Sequence, residues 1–594
     1  MWGLRPHLKR MHDPSRAMVS LDSVAETVLH RRYLRQDEDG TVIETPDEMF
    51  HRVAADLATA EATFGGDVDA TEERFYEAIS NLDFLPSSPV LMNAGTELQQ
   101  LAACFVLPVE DSIESIFTAV KQTALIHQSG GGTGFSFSHL RPEGDVVKKT
   151  GGVASGPVSF MKIFDAATEQ IKQGGRRRGA NMGVLEVTHP DVEEFIAIKS
   201  DDGDVLRNFN LSVATTAEFW EAYASGDAYE VVNPRTDAVV RRADPDTILD
   251  HVAEAAWETG DPGMLFLDTI NEHNPTPQLG RIEATNPCGE VPELPYEACI
   301  LGSINLGRHT DGEEVDWEKL RETIHLGVRF LDDAIEMSTF PVSDIEEMVT
   351  KTRRLGLGVM GLQDMLVDLQ IPYFSEDAVD FADELMAFIH EHSWAASRQL
   401  ADEREPFPAW EDSIREEPMR NATTTSIAPT GSISLIAGCS AGIEPIYNVA
   451  YTKQVMGGLE MVNDRFVDIA TERGFYSGEL MEDLHGRTTI QDVEAIPDDV
   501  KLLFQTAHDV PADHHLRVQA AFQKHVDNAV SKTVNLPQSA SVEDVKEVFL
   551  SARDLDIKGI TVFRSGATSE QVLGESPLKE ECVGECDYVA PRQE

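Results

Sequence analysis

Residues 285–305 read Thr285-Asn286-Pro287-Cys288-Gly289-Glu290-Val291-Pro292-Glu293-Leu294-Pro295-Tyr296-Glu297-Ala298-Cys299-Ile300-Leu301-Gly302-Ser303-Ile304-Asn305. Three polar side chains alternate at the start: the amide of Asn286, the thiol of Cys288 and the carboxylate of Glu290. In an extended segment, positions i, i+2 and i+4 point to one side. Pro287 and Gly289 disfavour helix, so an extended loop or a hairpin is expected. A hydrogen-bond donor, a sulfur nucleophile or radical, and a base would then face one small volume. A polar turn is the alternative reading of the same residues. A second thiol, Cys299, follows eleven residues later.

Outward from this stretch, the chain alternates short apolar runs with longer helix-like segments up to about residue 565, the α/β pattern. Ala103-Cys104-Phe105-Val106-Leu107-Pro108-Val109 predicts a buried strand ended by Asp111, followed by a helix over 112–127. Residues 1–80 read as helical and charged, with helical spacing over 60–62 and 71–82. After residue 570 the chain is polar, carries Pro577 and Pro591, and holds Cys582-Val583-Gly584-Glu585-Cys586. That stretch is expected to be a mobile tail bearing a dithiol.

The 594 residues include 103 acidic and 49 basic side chains, a net charge of −54. The acids are spread along the chain rather than gathered in a block, which excludes an acidic tail as their explanation. Dense carboxylates keep a surface soluble where salt screens their repulsion, so a salt-adapted protein from a halophilic source is expected. Non-specific nucleic-acid binding is disfavoured. No run of apolar residues is long enough for a membrane span, and Met1-Trp2-Gly3-Leu4-Arg5 opens no signal-peptide core, so a cytoplasmic location is expected. Six cysteines are too few for a secreted disulfide scaffold and suggest redox or radical chemistry, with Cys439 read as a plain buried side chain.

Three further stretches suit phosphate or nucleotide. Gly130-Gly131-Gly132-Thr133-Gly134 reads as a phosphate cradle or a tight turn. Ala428-Pro429-Thr430-Gly431-Ser432-Ile433-Ser434 offers hydroxyl and backbone donors to a phosphate, or caps a helix. Gln173-Gly174-Gly175-Arg176-Arg177-Arg178-Gly179-Ala180-Asn181 is a cationic loop between glycines, suited to a nucleotide or simply solvated. The Cys582/Cys586 spacing is off for zinc and no second pair lies nearby, so a redox dithiol is favoured over a metal site.

The run from Asn286 to Glu290, with Leu294-Pro295-Tyr296-Glu297-Ala298-Cys299 and Leu301-Gly302-Ser303-Ile304-Asn305-Leu306, resembles the finger loop of ribonucleotide reductases, specifically the adenosylcobalamin-dependent class II enzymes. Pro86-Ser87-Ser88-Pro89-Val90-Leu91, Ala103-Cys104 and the three loops above match in the same order, so the resemblance covers residues 75–570. It implies a ten-stranded α/β barrel of two parallel five-stranded halves, with a central finger loop, over residues 81–570. A short helical region at 1–80, without a full ATP-cone, precedes it, and the tail at 571–594 follows.

The resemblance also assigns roles. Cys288 would be the thiyl radical that takes the ribose 3′-hydrogen. Glu290 would be the base on the 3′-hydroxyl, and Asn286 would orient the sugar. Cys104 and Cys299 would reduce the 2′ position and end as a disulfide, which Cys582 and Cys586 would re-reduce with a thioredoxin-type dithiol. Ser88, Ala103, Cys104, Gly132, Asn286 to Glu290 (including Pro287 and Gly289), Pro429, Thr430, Gly431, Ser432 and Ile433 match substrate-binding positions. Asp111, Arg141 and Lys148 match positions that bind a deoxynucleotide or ATP effector, and the 174–181 loop matches the segment that relays effector identity. A homodimer is expected, and no metal ligand set.

The class follows by exclusion. Class I large subunits carry a tyrosine pair where this chain reads Gly559-Ile560-Thr561-Val562-Phe563-Arg564-Ser565. The glycyl-radical motif of class III is absent. Adenosylcobalamin is therefore the expected cofactor, in a chain from a halophilic archaeon, although the Asp-x-His-x-x-Gly motif of cobalamin mutases is missing. The alternatives are a class I large subunit that needs a separate radical subunit, and a catalytically silent nucleotide-binding relative.

Overall fold

The computed structural model describes residues 21–147, 152–173, 177–201, 205–453, 458–485 and 487–567. The first half of the barrel holds five strands: β1 (Cys104–Val106), β2 (Gly132–Ser136), β3 (Asn181–Glu186), β4 (Phe209–Thr215) and β5 (Gly263–Phe266), each parallel to the next. The second half contains β6 (Ala298–Asn305), β7 (Leu355–Met360), β8 (Thr533–Leu536) and β9 (Gly559–Arg564). β6 runs parallel to β7, and β8 to β9. The gap between these pairs is filled by one further extended segment, 423–427, which pairs on its other side with 528–531, the lead-in to β8. Thr425 bridges Leu357 and Val530 bridges Ile427, both in parallel sense.

The two halves meet antiparallel at β1–β6 and at β5–β9. The ring is thus closed with ten strand positions, as expected. Closure leaves no long unpaired edge. β6 is buried along its whole length, the mark of a strand covered on both faces. A short strand, Phe84–Pro86, adds antiparallel to the far end of β6.

Helices wrap the outside. Trp317–Met337 turns Leu320, Ile324, Val328 and Leu331 inward at helical spacing. The N-terminal region forms helices Ser23–Val28, Pro46–Ala58, Glu61–Phe64 and Val68–Ser80, with a wide π turn at Leu29–Tyr33. Thr45 and Glu48 close a capping box at the start of Pro46–Ala58. A buried ionic knot fastens this region to the barrel: Arg404 donates to Glu61, Asp332 and Asp333, while Arg353 also holds Asp332. Such a knot contributes more to a unique docking geometry than to net stability.

Inside the ring, Ala284–Thr285 pairs with Pro292–Glu293 to make a hairpin. Its tip crosses the interior. Thr285 and Pro287 press on β2, whereas the Glu290 carbonyl accepts from Ala529 N at 2.9 Å and from Ser426 Oγ at 2.9 Å in the opposite half. At Gly132 and Gly134 the close backbone approach is to the finger. Gly130 ends the helix Ile113–Ser129, and the next residues are β2, whose missing side chains make room for the finger. A Cβ on Gly134 would stand 1.7 Å from Thr285 O, against backbone that cannot step aside. Gly134→Ala is expected to cost ~1–3 kcal/mol, as overpacking does, read as a lower denaturation midpoint.

Candidate active site

Of the extended loop and the hairpin anticipated, the structure has the hairpin, and the finger tip is its turn. Gly289 N donates to Asn286 O at 3.1 Å, and Gly289 takes φ +81°, which glycine adopts without strain. Asn286 N donates to Val291 O at 3.3 Å, and Val291 N donates to Asn286 Oδ1 at 2.9 Å. The turn achieves by closure what alternation would have achieved by pleat. Asn286 Nδ2 donates to Glu290 Oε2 at 2.7 Å and to Cys104 Sγ at 3.1 Å, so the amide joins the carboxylate to a thiol. Asn210 Nδ2 steadies the tip from β4 by donating to Pro287 O at 2.8 Å.

Cys104 and Cys299 lie directly opposite each other across the β1–β6 ladder. Opposed antiparallel residues have Cα atoms ~4.5–5.5 Å apart, within reach of a disulfide. Cys104, Cys288, Cys299 and Cys439 are all unbridged thiols. Burial, and then the neighbouring Glu293, push the Cys299 thiol well above the ordinary thiol range, so it is held as SH, a hydrogen donor. Burial lifts the Glu290 carboxyl to about 7, against the pull of the Asn286 hydrogen bond. A base with that value is matched to neutral pH.

Two cavities meet at the finger. The smaller, about 100 Å³, is lined by Ser88, Ala103, Cys104, Gly132, Asn286, Pro287, Cys288, Glu290 and the loop Pro429–Ile433. Of the anticipated substrate positions only Gly289 falls outside that wall. The larger, about 430 Å³, lies on the other side and includes Pro287, Cys288, Gly289 and Cys439. Pro287 and Cys288 belong to both walls. Cys439, read from sequence as a plain buried side chain, is partly buried and lines the larger cavity.

The larger cavity suits a bulky amphiphilic ligand rich in amides. Its wall mixes Asn210, Asn448, Asn535 and Thr561 with Met264 and Phe563. His508 Nε2 and Ser440 Oγ, on residues of this wall, are buried without a hydrogen-bond partner. Burial holds the His508 imidazole below its usual value, hence neutral. Tyr447 packs at its side, 5.4 Å between ring centroids. These features fit adenosylcobalamin.

The loop after Pro429 is bent rather than open. Thr430 takes φ +56°, rare for a non-glycine residue, and its Oγ1 accepts from Gly442 N at 2.8 Å. Ser432 then precedes the five-residue helix Ile433–Ala437. Sequence reasoning missed two partners of this wall. Arg32 Nη1 donates to Ser432 Oγ at 3.0 Å, and the Tyr33 hydroxyl bonds Ser88 Oγ at 2.8 Å. It also missed Glu293, fully buried with neither oxygen hydrogen-bonded, whose carboxyl burial pushes well above the usual range. Only the packing reveals these.

The anticipated effector residues lie elsewhere. Arg141 grips Asp111 with Nε at 2.9 Å from both carboxylate oxygens. Lys148 lies outside the described residues, as do Gly174, Gly175, Arg176, Cys582 and Cys586. In the cationic loop, Lys172–Gln173 pairs antiparallel with Arg177–Arg178.

The chain matches the family model described as the ribonucleotide reductase barrel domain over residues 102–414 and 410–563, and the all-alpha domain model over residues 19–99. It is 47% identical to the vitamin B12-dependent ribonucleoside-diphosphate reductase of Thermoplasma acidophilum, covering 92% of this chain and 79% of that protein. It is 49% identical to the protein of the same name from Mycobacterium tuberculosis, covering 94% and 80%. The solved class Id ribonucleotide reductase alpha subunit of Actinobacillus ureae shares the fold, with TM-score 0.77 at 24% identity over 94% of this chain and 99% of that one. The chain belongs to the ribonucleotide reductase family.

Proposed function

We propose that the chain reduces ribonucleoside diphosphates to 2′-deoxyribonucleotides for DNA synthesis, with adenosylcobalamin as its radical source. One observation carries this reading: Cys288 stands in the wall between two cavities, with Glu290 and Cys104 on the smaller side and Cys299 paired behind Cys104 across the β1–β6 ladder. When bound, adenosylcobalamin supplies the one-electron oxidation of a thiol. Asn210, Asn448 and His508 are among the residues that would hold it in the larger cavity.

The remaining chemistry belongs to the chain. The Cys288 thiyl takes the 3′-hydrogen while Glu290 receives the 3′-hydroxyl proton. Asn286 holds Glu290 and Cys104 in register with the sugar. Cys104 protonates the 2′-hydroxyl, which leaves as water. Cys104 and Cys299 together give two electrons and two protons, and end as a disulfide. Cys288 then returns its hydrogen to the 3′ carbon. The balance is ribonucleotide plus dithiol giving deoxyribonucleotide, disulfide and water.

Ser88, Ala103, Gly132 and Pro429–Ile433 position the nucleotide. Cys582 and Cys586 return the disulfide to thiols by exchange with a thioredoxin-type reductant. Asp111, Arg141 and Lys148 bind a nucleotide effector. The protein works as a homodimer in a salt-rich archaeal cytoplasm. Among the described residues no helix is long and apolar enough to cross a membrane.

The test is an assay of each ribonucleoside diphosphate with adenosylcobalamin and a small dithiol in molar potassium chloride. Deoxynucleotide should form without a second protein. Strict dependence on a separate radical-generating subunit would reject the reading. Cys299→Ser should allow Cys288 oxidation but stop multiple turnover, measured as less than one product per chain. Continued turnover in that variant rejects the dithiol role.

A further inference from the structure

The proposal deepens the ribonucleotide reading and rests on it. The smaller cavity is lined by one charged side chain, the carboxylate Glu290; among the described residues no lysine or arginine lines it. A nucleoside diphosphate brings at least about two negative charges into this cavity. The hydroxyl and backbone donors of the Thr430–Ser434 loop can place those oxygens, but they do not offset the charge.

A cation reaches the loop from outside the cavity wall. Arg32, buried at 7% exposure, donates to Ser432 Oγ. The next residue, Tyr33, bonds Ser88 on another part of the same wall. Both belong to the π turn Leu29–Tyr33, whose wide winding delivers consecutive side chains to the site from the helical region. A residue 400 positions upstream of the loop therefore completes it.

We propose that Arg32 is the positioning cation for the terminal phosphate, acting through Ser432 to favour a diphosphate over a nucleoside lacking phosphate. Its guanidinium attracts the phosphate and holds the Ser432 side chain in place in the loop.

The test is calorimetric binding of cytidine diphosphate and cytidine to the full chain, without cofactor or turnover. Arg32→Gln should weaken the diphosphate about tenfold to a hundredfold, as loss of a charged partner does, and cytidine by less than about threefold. Arg32→Lys keeps the charge but not the fork, and should lower the diphosphate-to-cytidine affinity ratio about threefold to tenfold. Tyr33→Phe disturbs the same junction without changing charge and should keep the ratio. Equal weakening of both ligands in Arg32→Gln, or loss of the ratio in Tyr33→Phe to the same extent, overturns the proposal. If Arg32→Gln does not fold, Arg32→Lys decides: an unchanged ratio overturns it. A wild-type chain that binds neither ligand rejects the ribonucleotide reading itself.

Discussion

Cys288→Ala is expected to bind nucleotide as the native chain does and to turn over none of it. The substitution removes one sulfur from the wall between the cavities and leaves the Asn286 contacts in place, so affinity should change by less than about threefold. Turnover should fall by at least about 10⁴-fold, since no other side chain can take over a covalent or radical role. The finger backbone is held by Gly134, Ala529 and Ser426, which the change does not touch. Stability should therefore hold within about 1 kcal/mol. Ribose reduction by Cys288→Ala with dithiothreitol would place the radical elsewhere.

Glu290→Gln should move activity and stability in opposite directions. The native carboxyl, lifted by burial to about 7, must be ionised to accept the 3′-hydroxyl proton. Native activity should fall about tenfold per pH unit below that value. The glutamine variant lacks the base, should lose about 10²–10⁴-fold in turnover, and should show no acidic limb near pH 7. For stability the sign is fixed by the raised value. The folded chain holds the proton more tightly than the unfolded chain, so the native carboxylate costs nothing in acid. Its burial becomes a penalty as pH rises through about 7. Removing the charge should then stabilise the variant above pH 7 by up to ~3 kcal/mol, at 1.36 kcal/mol per unit. A variant that keeps the acidic limb, or is less stable than the native chain at pH 8, contradicts the assignment.

The barrel was readable where a strand is apolar and bounded, as at 103–109, which holds Cys104–Val106. It was not readable at 423–427, where Thr423-Thr424-Thr425-Ser426 reads as a polar connection. That segment is extended because β7 on one side and 528–531 on the other complete its hydrogen bonds, an effect of neighbours rather than of composition. The finger motif named its own chemistry, because an amide, a thiol and a carboxylate so close together have few other uses. Its shape stayed open between an extended loop and a hairpin, since Gly289 can serve extended chain and left-handed turn alike. The Gly130–Gly134 run, read as a cradle or a tight turn, also serves a close backbone approach that the sequence did not name: Gly132 and Gly134 make room for the finger. Arg32 left no local mark, because its partner Ser432 is adjacent only in the folded chain.

The shared wall at Pro287 and Cys288 has a thermodynamic consequence. Two ligands on opposite faces of one rigid partition cannot influence each other's affinity, whereas a partition that shifts transmits every change. The coupling free energy between the occupants of the two cavities is therefore a gauge of how stiff the finger is. Gly134, where any side chain would collide with it, is the place to tune that stiffness. A compound that fills the larger cavity would silence the chain without competing for nucleotide, and the residual crosstalk would report the give in two residues of backbone.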